Sequence, residues 1–200
     1  HWSPIIVKAI ALSASITREF MYYPAGTLID DGTVPAADDA YDPQFTKPLY
    51  RHYYALKNRL NFYGLRSVHH KIIGTSSTDT VEYRWDKDDQ QINLISIPSI
   101  FFGTKIKPGT VSLKWYVTGS LVGELTDPKR NGELIQRSGS VYPTHDGKTA
   151  GVILYEEGFI VLTGSWGLNS ETIPITSAAA SDNPKWIYFG AGAQDGVTQA

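Results

Sequence analysis

The stretch from Ile92 to Thr118 constrains the fold more than any other part of the sequence. Its second half alternates strictly between apolar and polar or amphipathic residues, and the apolar positions are Val111, Leu113, Trp115 and Val117. Alternation with a period of two is typical of a β-strand that buries one face and turns the other toward solvent or a partner. Pro108-Gly109 precedes this strand and favours a tight turn, because proline presets one φ and glycine accepts a positive φ. The stretch therefore predicts a strand, a turn and a second strand.

The composition indicates the class of protein and excludes several kinds of functional site. Hydrophobic residues make up 42% and charged residues 19% of the 200 residues, which is typical of a globular chain with a sizeable core. The net charge of −2 shows no electrostatic footprint for nucleic acid, so we expect no nucleic-acid partner. The absence of cysteine excludes disulfides, thiolate metal ligands and cysteine nucleophiles.

A short apolar run near the start, Ile5 to Ser15, is far shorter than the roughly 20 residues that a membrane span needs. It contains Lys8 and is predicted to be a buried strand or a short helix. No membrane insertion is therefore expected. After it, Thr17 to Thr46 is rich in turn signals and predicts a long surface loop or arm.

One amphipathic helix is predicted over Lys47 to Tyr63. Thr46 can cap its start, and Gly64 is a suitable residue to end it. Its apolar residues recur at helical spacing, and the stripe that we expect to pack on the sheet consists of Tyr53, Leu56 and Leu60.

The remaining elements are predicted to be strands joined by short turns. The turn glycines and prolines expected to matter are Pro98, Gly103, Pro108, Gly109 and Gly158. Beyond the Ile92–Thr118 stretch, the predicted strands are Ser67–Gly74, Thr80–Trp85, Leu121–Leu125, Glu133–Arg137, the two arms of a Gly151–Thr163 hairpin, an edge strand Ile173–Ile175, and Trp186–Phe189. The fold is therefore predicted to be mainly β, an antiparallel β-sandwich or curled sheet with one amphipathic α-helix packed on it. Its predicted core residues are Leu113, Trp115, Val117, Val152, Leu154, Ile160 and Leu162.

Three regions are predicted along the chain. Residues 1–46 form an N-terminal arm, and the first residue, His1 rather than a methionine, favours a piece of a longer chain. Residues 47–176 form the helix and β domain. Residues 177–200 form a small-residue linker, a last strand and a flexible tail rich in glycine and alanine.

Metal sites find little support in the sequence. His69-His70 would point to opposite faces of a strand and could not hold one metal together. Asp86, Asp88 and Asp89 match the opening of a calcium-binding loop, but Gln91 and Ile97 stand where that loop needs glycine and an acidic residue. A solvated turn is the simpler interpretation, and no metal ligand is predicted.

Catalytic motifs are equally weak. Glu156-Glu157 lies at a hairpin tip, where adjacent carboxylates rarely face each other across a sugar as glycoside hydrolysis requires. Gly164-Ser165-Trp166-Gly167 is one residue short of a nucleophile elbow and follows no parallel-sheet pattern. We predict no catalytic residue, no cofactor and no enzymatic activity.

Three motifs in order, which cover roughly Pro48 to Trp166, carry a resemblance to a family. A tyrosine-rich helix, LYRHYYALKNRLNFY, is followed by ISIPSIFFGTKIKPGTVSL and then by GVILYEEGFIVLTGSW. The chain thereby resembles a domain of large virion structural proteins of tailed bacteriophages, especially marine and cyanobacterial ones. The matching positions are Ile97-Pro98, Phe101-Phe102-Gly103, Ile106 to Gly109, and Gly151, Tyr155 and Gly158 with Phe159 to Thr163.

This resemblance implies a structural component of a virion: a tail, baseplate, fibre, neck or capsid-surface protein without enzymatic activity or cofactor. Its implied partners are other copies of itself and neighbouring virion proteins. Repeated particle subunits meet through large interfaces, often by adding strands to sheet edges.

A carbohydrate- or receptor-binding module at a phage adhesion tip is the alternative. Trp115, Tyr116, Trp166 and Trp186 could stack on the rings of a host surface glycan, although alternation favours burial of Trp115 and Trp186. The candidate interface or glycan-stacking residues are Tyr116, Trp166 and Trp186. A binding tip predicts exposed aromatic side chains beside Asp, Asn or Gln, whereas an assembly part predicts rings in the core or at subunit contacts.

Overall fold

The computed structural model describes residues 14–19, 51–72, 87, 90–137, 145–175 and 181–191. These residues form one α-helix, α1 (Arg51–Tyr63), and nine strands. The strands are β1 (Ser15–Glu19), β2 (Ile92–Ser96), β3 (Ser112–Val117), β4 (Ser120–Thr126), β5 (Glu133–Arg137), β6 (Thr149–Leu154), β7 (Phe159–Leu162), β8 (Ile173–Pro174) and β9 (Ser181–Asp182). The predicted mainly β fold with one helix is confirmed.

Seven of the strands form one antiparallel sheet in the order β1-β2-β7-β6-β5-β4-β3, and β8 pairs with β9 separately. The large sheet curls into a half-barrel, so the curled-sheet form of the prediction is confirmed. Register shifts in the β3–β4 and β5–β6 pairs, between Trp115 and Tyr116 and between Leu134 and Ile135, mark irregularities of the kind that bend a strand. Both predicted hairpins are present, as β4–β5 and β6–β7.

The hairpin β6–β7 is buried on both of its faces. On one face, Val152, Leu154 and Val161 pack with the helix side chains Tyr53, Leu56, Leu60 and Tyr63, so the predicted helix stripe is confirmed. On the other face, Ile153, Ile160 and Leu162 pack in a second cluster with Trp115, Leu168 and Trp186. Of the predicted core residues, Leu113 and Val117 are only partly buried against this second cluster. The hairpin is therefore the middle layer of the structure.

Asp127 ties three turns of the sheet together. Its carboxylate accepts hydrogen bonds from the backbone N–H of Gly109 at 2.5 Å and of Val111 at 2.9 Å, and from the Tyr155 hydroxyl at 2.7 Å. Gly109 has a φ of +87°, as the predicted Pro108-Gly109 turn requires. Burial, followed by the hydrogen bond to Asp127, raises the pKa of Tyr155. The phenol therefore remains a hydrogen-bond donor at neutral pH.

Two predicted strands are short helical turns instead. Val68–His70, within the predicted strand Ser67–Gly74, is a 3-10 turn capped by the Ser67 hydroxyl, which accepts from the His69 N–H at 3.2 Å. Trp186–Tyr188, within the predicted strand Trp186–Phe189, is also a 3-10 turn. Trp186 and Ile187 are both buried there, whereas a strand would place adjacent side chains on opposite faces.

Part of the predicted N-terminal loop is a strand instead. Thr17–Glu19, expected in a loop, belong to β1, which pairs with β2. Thus β1, before residue 47, belongs to the large sheet, and Trp186, after residue 176, belongs to the core cluster on the face of the β6–β7 hairpin opposite α1. The predicted strand Thr80–Trp85, the rest of the predicted arm up to residue 46, most of the predicted linker and the tail 192–200 lie outside the described residues.

Substitution of Gly123 tests how tightly Trp186 packs on the sheet. A Cβ at Gly123 would lie 2.7 Å from Cζ2 of Trp186, so we expect Gly123→Ala to lower the free energy of unfolding by about 1–3 kcal/mol. Gly167→Ala is the matched control, because the nearest atom to its Cβ would be 3.9 Å away. Urea denaturation followed by tryptophan fluorescence measures both; equal stability of the two variants would contradict the packing.

Candidate binding surfaces

The tip of the β6–β7 hairpin anchors two neighbouring elements. On one side, the Arg59 guanidinium on α1 forms ion pairs with Glu157 and, at 3.1 Å, with Glu156. On the other side, the Ile97 N–H donates to the Gly158 carbonyl at 2.8 Å. A Cβ at Gly158 would lie 2.5 Å from the Ile97 carbonyl oxygen, and its φ is +72°, so only glycine fits this position without strain.

Large apolar side chains project from both anchored elements. Phe62, Leu65 and Val68, at the end of α1 and in the turn after it, are 60%, 89% and 51% exposed. Ile100 and Phe101, in the 3-10 turn after β2, are 67% and 57% exposed. We call these five residues the tip surface. Large apolar side chains left this accessible are candidates for contact with a partner.

Arginine side chains hold the aromatic rings beside the tip surface. The Arg59 guanidinium lies 5.5 Å from the Phe62 ring centroid and 4.9 Å from that of Tyr63, and Arg66 lies 4.9 Å from the Tyr63 ring. The hydrogen bond to Glu157 raises the pKa of Arg59, so the cation persists at any ordinary pH. Arginine beside exposed aromatic rings is a composition that protein interfaces favour.

Sequence reasoning missed the tip surface, although it had a signal for part of it. The helix aromatics were expected to pack in the core, as Tyr53 and Tyr63 do. Phe62 falls outside the stripe that the spacing of those residues defines, and Leu65 lies beyond Gly64, where the helix ends. An apolar residue off the stripe is the sign that could have indicated exposure.

The three predicted stacking residues have different surroundings. Tyr116 on β3 is 56% exposed, and Trp166 is partly exposed. Trp186 is fully buried and cannot stack on a sugar, so its assignment to a binding face is wrong. Its ring packs against Trp115 and Phe189, with centroids 6.0 and 6.1 Å apart. The core alternative for Trp115 and Trp186 is confirmed.

A single side-chain oxygen links Trp166 to Trp186. Oε1 of Gln136 accepts the indole N–H of Trp166 at 2.7 Å and that of Trp186 at 3.0 Å. The His145 ring stacks on Trp166 with centroids 5.6 Å apart and planes at 28°, and Lys148 Nζ lies 5.9 Å from the same ring. We call Trp166, Gln136 and the turn His145–Lys148 the Trp166 platform.

A buried polar cluster fixes the Val68–His70 turn to β5. The Glu133 carboxylate accepts from the Ser67 hydroxyl at 2.6 Å, from Asn131 at 3.0 Å and from Lys129 at 2.7 Å. Burial alone would raise the pKa of Glu133, but these hydrogen bonds outweigh it and lower the pKa. The Lys87 ammonium donates to the His69 carbonyl, and burial lowers the pKa of Lys87 to about 8.

Neither a metal site nor a catalytic constellation emerges from the described residues. They contain no group of three His, Cys, Asp or Glu that could hold a metal ion, and the acidic run Asp86, Asp88 and Asp89 lies outside them. A surface cavity of about 290 Å³ beside α1 is lined by Lys57, Asn61, Lys71 and Ile72. That lining pairs no acid with a base, so the cavity shows no arrangement for proton transfer.

Comparisons with known proteins give no match: no family model, no curated protein and no solved structure is similar to this chain. Within the described ranges, no helix is both long enough and apolar enough to cross a membrane. The function must therefore be argued from the geometry of the surfaces themselves.

The buried imidazole of His70 predicts a dependence of stability on pH. Burial lowers its pKa from 6.5 to about 4, so between these values the unfolded chain binds a proton that the folded chain does not. We expect this group to reduce the free energy of unfolding as pH falls from 6.5 to 4, by at most about 1.4 kcal/mol per pH unit. His70→Gln should reduce the change in the free energy of unfolding between pH 6.5 and pH 4, as measured by urea denaturation. An unchanged slope in a folded variant would contradict the assignment.

Proposed function

We propose that this chain is a structural component of a bacteriophage particle that acts through protein–protein contacts, and that the tip surface makes those contacts. The observation that carries the proposal is the exposure of its five apolar side chains, each more than half accessible, on α1 and in the turns that follow α1 and β2. The partners proposed are other copies of the chain and neighbouring virion proteins.

The energetics favour burial of the tip surface by a partner. Removing a large apolar side chain from water stabilises a complex by about 1.5–3 kcal/mol, and this gain offsets part of the freedom that the partners lose on association. Phe62 and Phe101 are large rings, and Arg59 and Arg66 lie beside the aromatic rings of α1. Aromatic and arginine side chains are the commonest energetic centres of protein interfaces.

The resemblance to virion proteins points to the same part of the molecule. Its Ile97–Gly103 motif and its Gly151–Thr163 motif meet where the Ile97 N–H bonds the Gly158 carbonyl and where Phe102 packs on Gly158. The third motif, the tyrosine-rich helix, reaches the tip through Arg59. All three motifs thus meet at the tip of the β6–β7 hairpin, beside the elements that carry the exposed side chains. Motifs that serve assembly are expected to lie close to the surface that makes the contacts.

A carbohydrate- or receptor-binding module is a second candidate, favoured by the Trp166 platform. Trp166 is partly exposed, and its indole is held in one orientation by the buried Gln136. Fixed aromatic rings beside polar groups suit the binding of sugar rings.

Self-association of the purified chain tests the role of the tip surface. We expect sedimentation velocity to show concentration-dependent oligomers, and the double variant Leu65→Ser/Phe101→Ser to weaken association at least about tenfold, since tenfold corresponds to about 1.4 kcal/mol. Tyr116→Ser is the matched control, because Tyr116 is an equally exposed aromatic residue on β3. A monomeric chain at all concentrations, or equal association of the two variants, would refute this role.

Membership of a particle is tested separately. We expect peptides of this chain in purified particles of the phage that encodes it, in amounts that match a repeated structural subunit. Quantitative mass spectrometry of caesium-banded particles measures this amount. Its absence from intact particles would remove the virion assignment, whatever the association of the isolated chain.

A further inference from the structure

Asn131 and Gly132, in the loop between β4 and β5, form a dipeptide that is prone to deamidation. In this reaction the backbone nitrogen of the second residue attacks Cγ of the asparagine, and a cyclic imide forms as ammonia leaves. Water then opens the imide to aspartate or isoaspartate, so amide and water become acid and ammonia. Glycine leaves its nitrogen most accessible, because it has no Cβ to shield it. Asn131-Gly132 is the one Asn-Gly pair in the sequence.

In the folded chain a single residue holds the Asn131 amide at both of its polar atoms. The amide Oδ1 accepts from the Glu133 backbone N–H at 3.1 Å, and Nδ2 donates to the Glu133 carboxylate at 3.0 Å. A backbone N–H can only donate and an ionised carboxylate can only accept, so the orientation of the amide is fixed by its partners. Cγ of Asn131 therefore cannot turn toward the Gly132 nitrogen without breaking both bonds.

Glu133 is itself firmly held. Its exposed fraction is 6%, and its carboxylate also accepts from the Ser67 hydroxyl at 2.6 Å and from the Lys129 ammonium at 2.7 Å. Hydrogen bonds that involve an ionised group are stronger than those between neutral groups. The partner that restrains the Asn131 amide is therefore fixed in place by contacts of its own.

The attacking nitrogen belongs to a backbone segment that is also restrained. The Gly132 carbonyl accepts from the Ile153 N–H at 2.8 Å, which ties the loop to β6. A Cβ at Gly132 would lie 2.7 Å from Nε2 of His70, so the glycine is closely packed on that side. The carbon and the nitrogen that must meet are thus held by separate sets of contacts.

We propose that Asn131 is a deamidation site that Glu133 keeps unreactive in the folded chain. Unfolding of the chain, or opening of the loop, breaks the contacts to Glu133 and frees the amide to react with Gly132. The product carries a second carboxylate where the amide met Glu133, and like charges that close together repel each other. The reaction thereby makes a transient opening permanent. This inference rests on neither proposed function, so each can fail alone.

Peptide mass spectrometry of the whole chain tests the proposal. The chain is incubated at neutral pH, either folded or unfolded in guanidinium chloride, and the aspartate and isoaspartate peptides are quantified over time. We expect Asn131 to react at least about tenfold faster in the unfolded chain, because the folded chain must first open locally. Asn169-Ser170 is the internal reference and should react more slowly in the unfolded chain, since serine has a Cβ. An equal or faster reaction of Asn131 in the folded chain overturns the proposal.

A pair of variants tests the role of Glu133. Glu133→Ala removes the acceptor of the Asn131 amide, and we expect the folded variant to deamidate there about threefold faster or more than the unchanged chain. Glu124→Ala is the matched control, because Glu124 likewise accepts from Ser112 at 2.9 Å and pairs with Lys114 at 4.0 Å, whereas the Asn131 amide bonds to Glu133. Equal rates at Asn131 in the two folded variants overturn the proposal.

A further variant separates this role from general stability. Gly123→Ala disturbs the packing of Trp186 and leaves the contacts of the Asn131 loop in place. Amide NMR dispersion shows whether each variant is folded, and Glu133→Gln replaces Glu133→Ala if the latter does not fold, since it keeps the size and removes the charge. A rate at Asn131 that rises as much in Gly123→Ala as in the Glu133 variant assigns the reaction to global unfolding and overturns the proposal.

Discussion

The buried carboxylate of Asp127 is the interaction on which the arrangement of the turns depends. It accepts hydrogen bonds from Gly109, Val111 and Tyr155, which belong to the segment before β3 and to the tip of the β6–β7 hairpin. Each hydrogen bond to a buried charge contributes about 1.5–3 kcal/mol, and three donors also offset the cost of removing the charge from water. Without this acceptor, two backbone N–H groups and a phenol would lack partners, and the turns would lose their common anchor.

The layered core leaves the tip of the β6–β7 hairpin as the point where α1 and the loop after β2 meet. The β6–β7 hairpin is covered by α1 on one face and by the cluster around Trp186 on the other, so its tip is where both layers end. Arg59 joins the helix to this tip, and Gly158 joins the loop after β2 to it. Phe62 lies off the helix stripe and Leu65 follows Gly64, where the helix ends, so these side chains do not face the core and remain accessible.

Gln136 bonds to two tryptophans with different surroundings, because Trp186 lies in the core and Trp166 is partly exposed. The same Oε1 atom accepts from both indoles, yet Trp186 packs over Gly123 in the core while Trp166 reaches the surface beside His145. A shared acceptor fixes the orientation of Trp166 relative to the core. The ring is thereby pre-organised, and a ligand that stacks on it would lose little of its binding free energy to ordering the protein. Assembly at the tip and ligand binding at the platform are compatible because the two surfaces use different residues.

Local patterns in the sequence determined the helix stripe, the strands β2 to β7, the two hairpins and the Pro108-Gly109 turn. The spacing of apolar residues, the residue preferences of turns and the ability of glycine to adopt a positive φ all act within a few residues of the chain. Only the tertiary structure decided that Val68–His70 and Trp186–Tyr188 are helical turns. The cap residue Ser67 of the first turn bonds to Glu133 on β5, and Trp186 of the second bonds to Gln136 on the same strand, and both contacts are long-range. The exposure of Phe101 and the partial exposure of Trp166 were likewise outside the reach of periodicity. Whether an aromatic ring is covered depends on which distant segment packs over it, and that choice is made by long-range contacts.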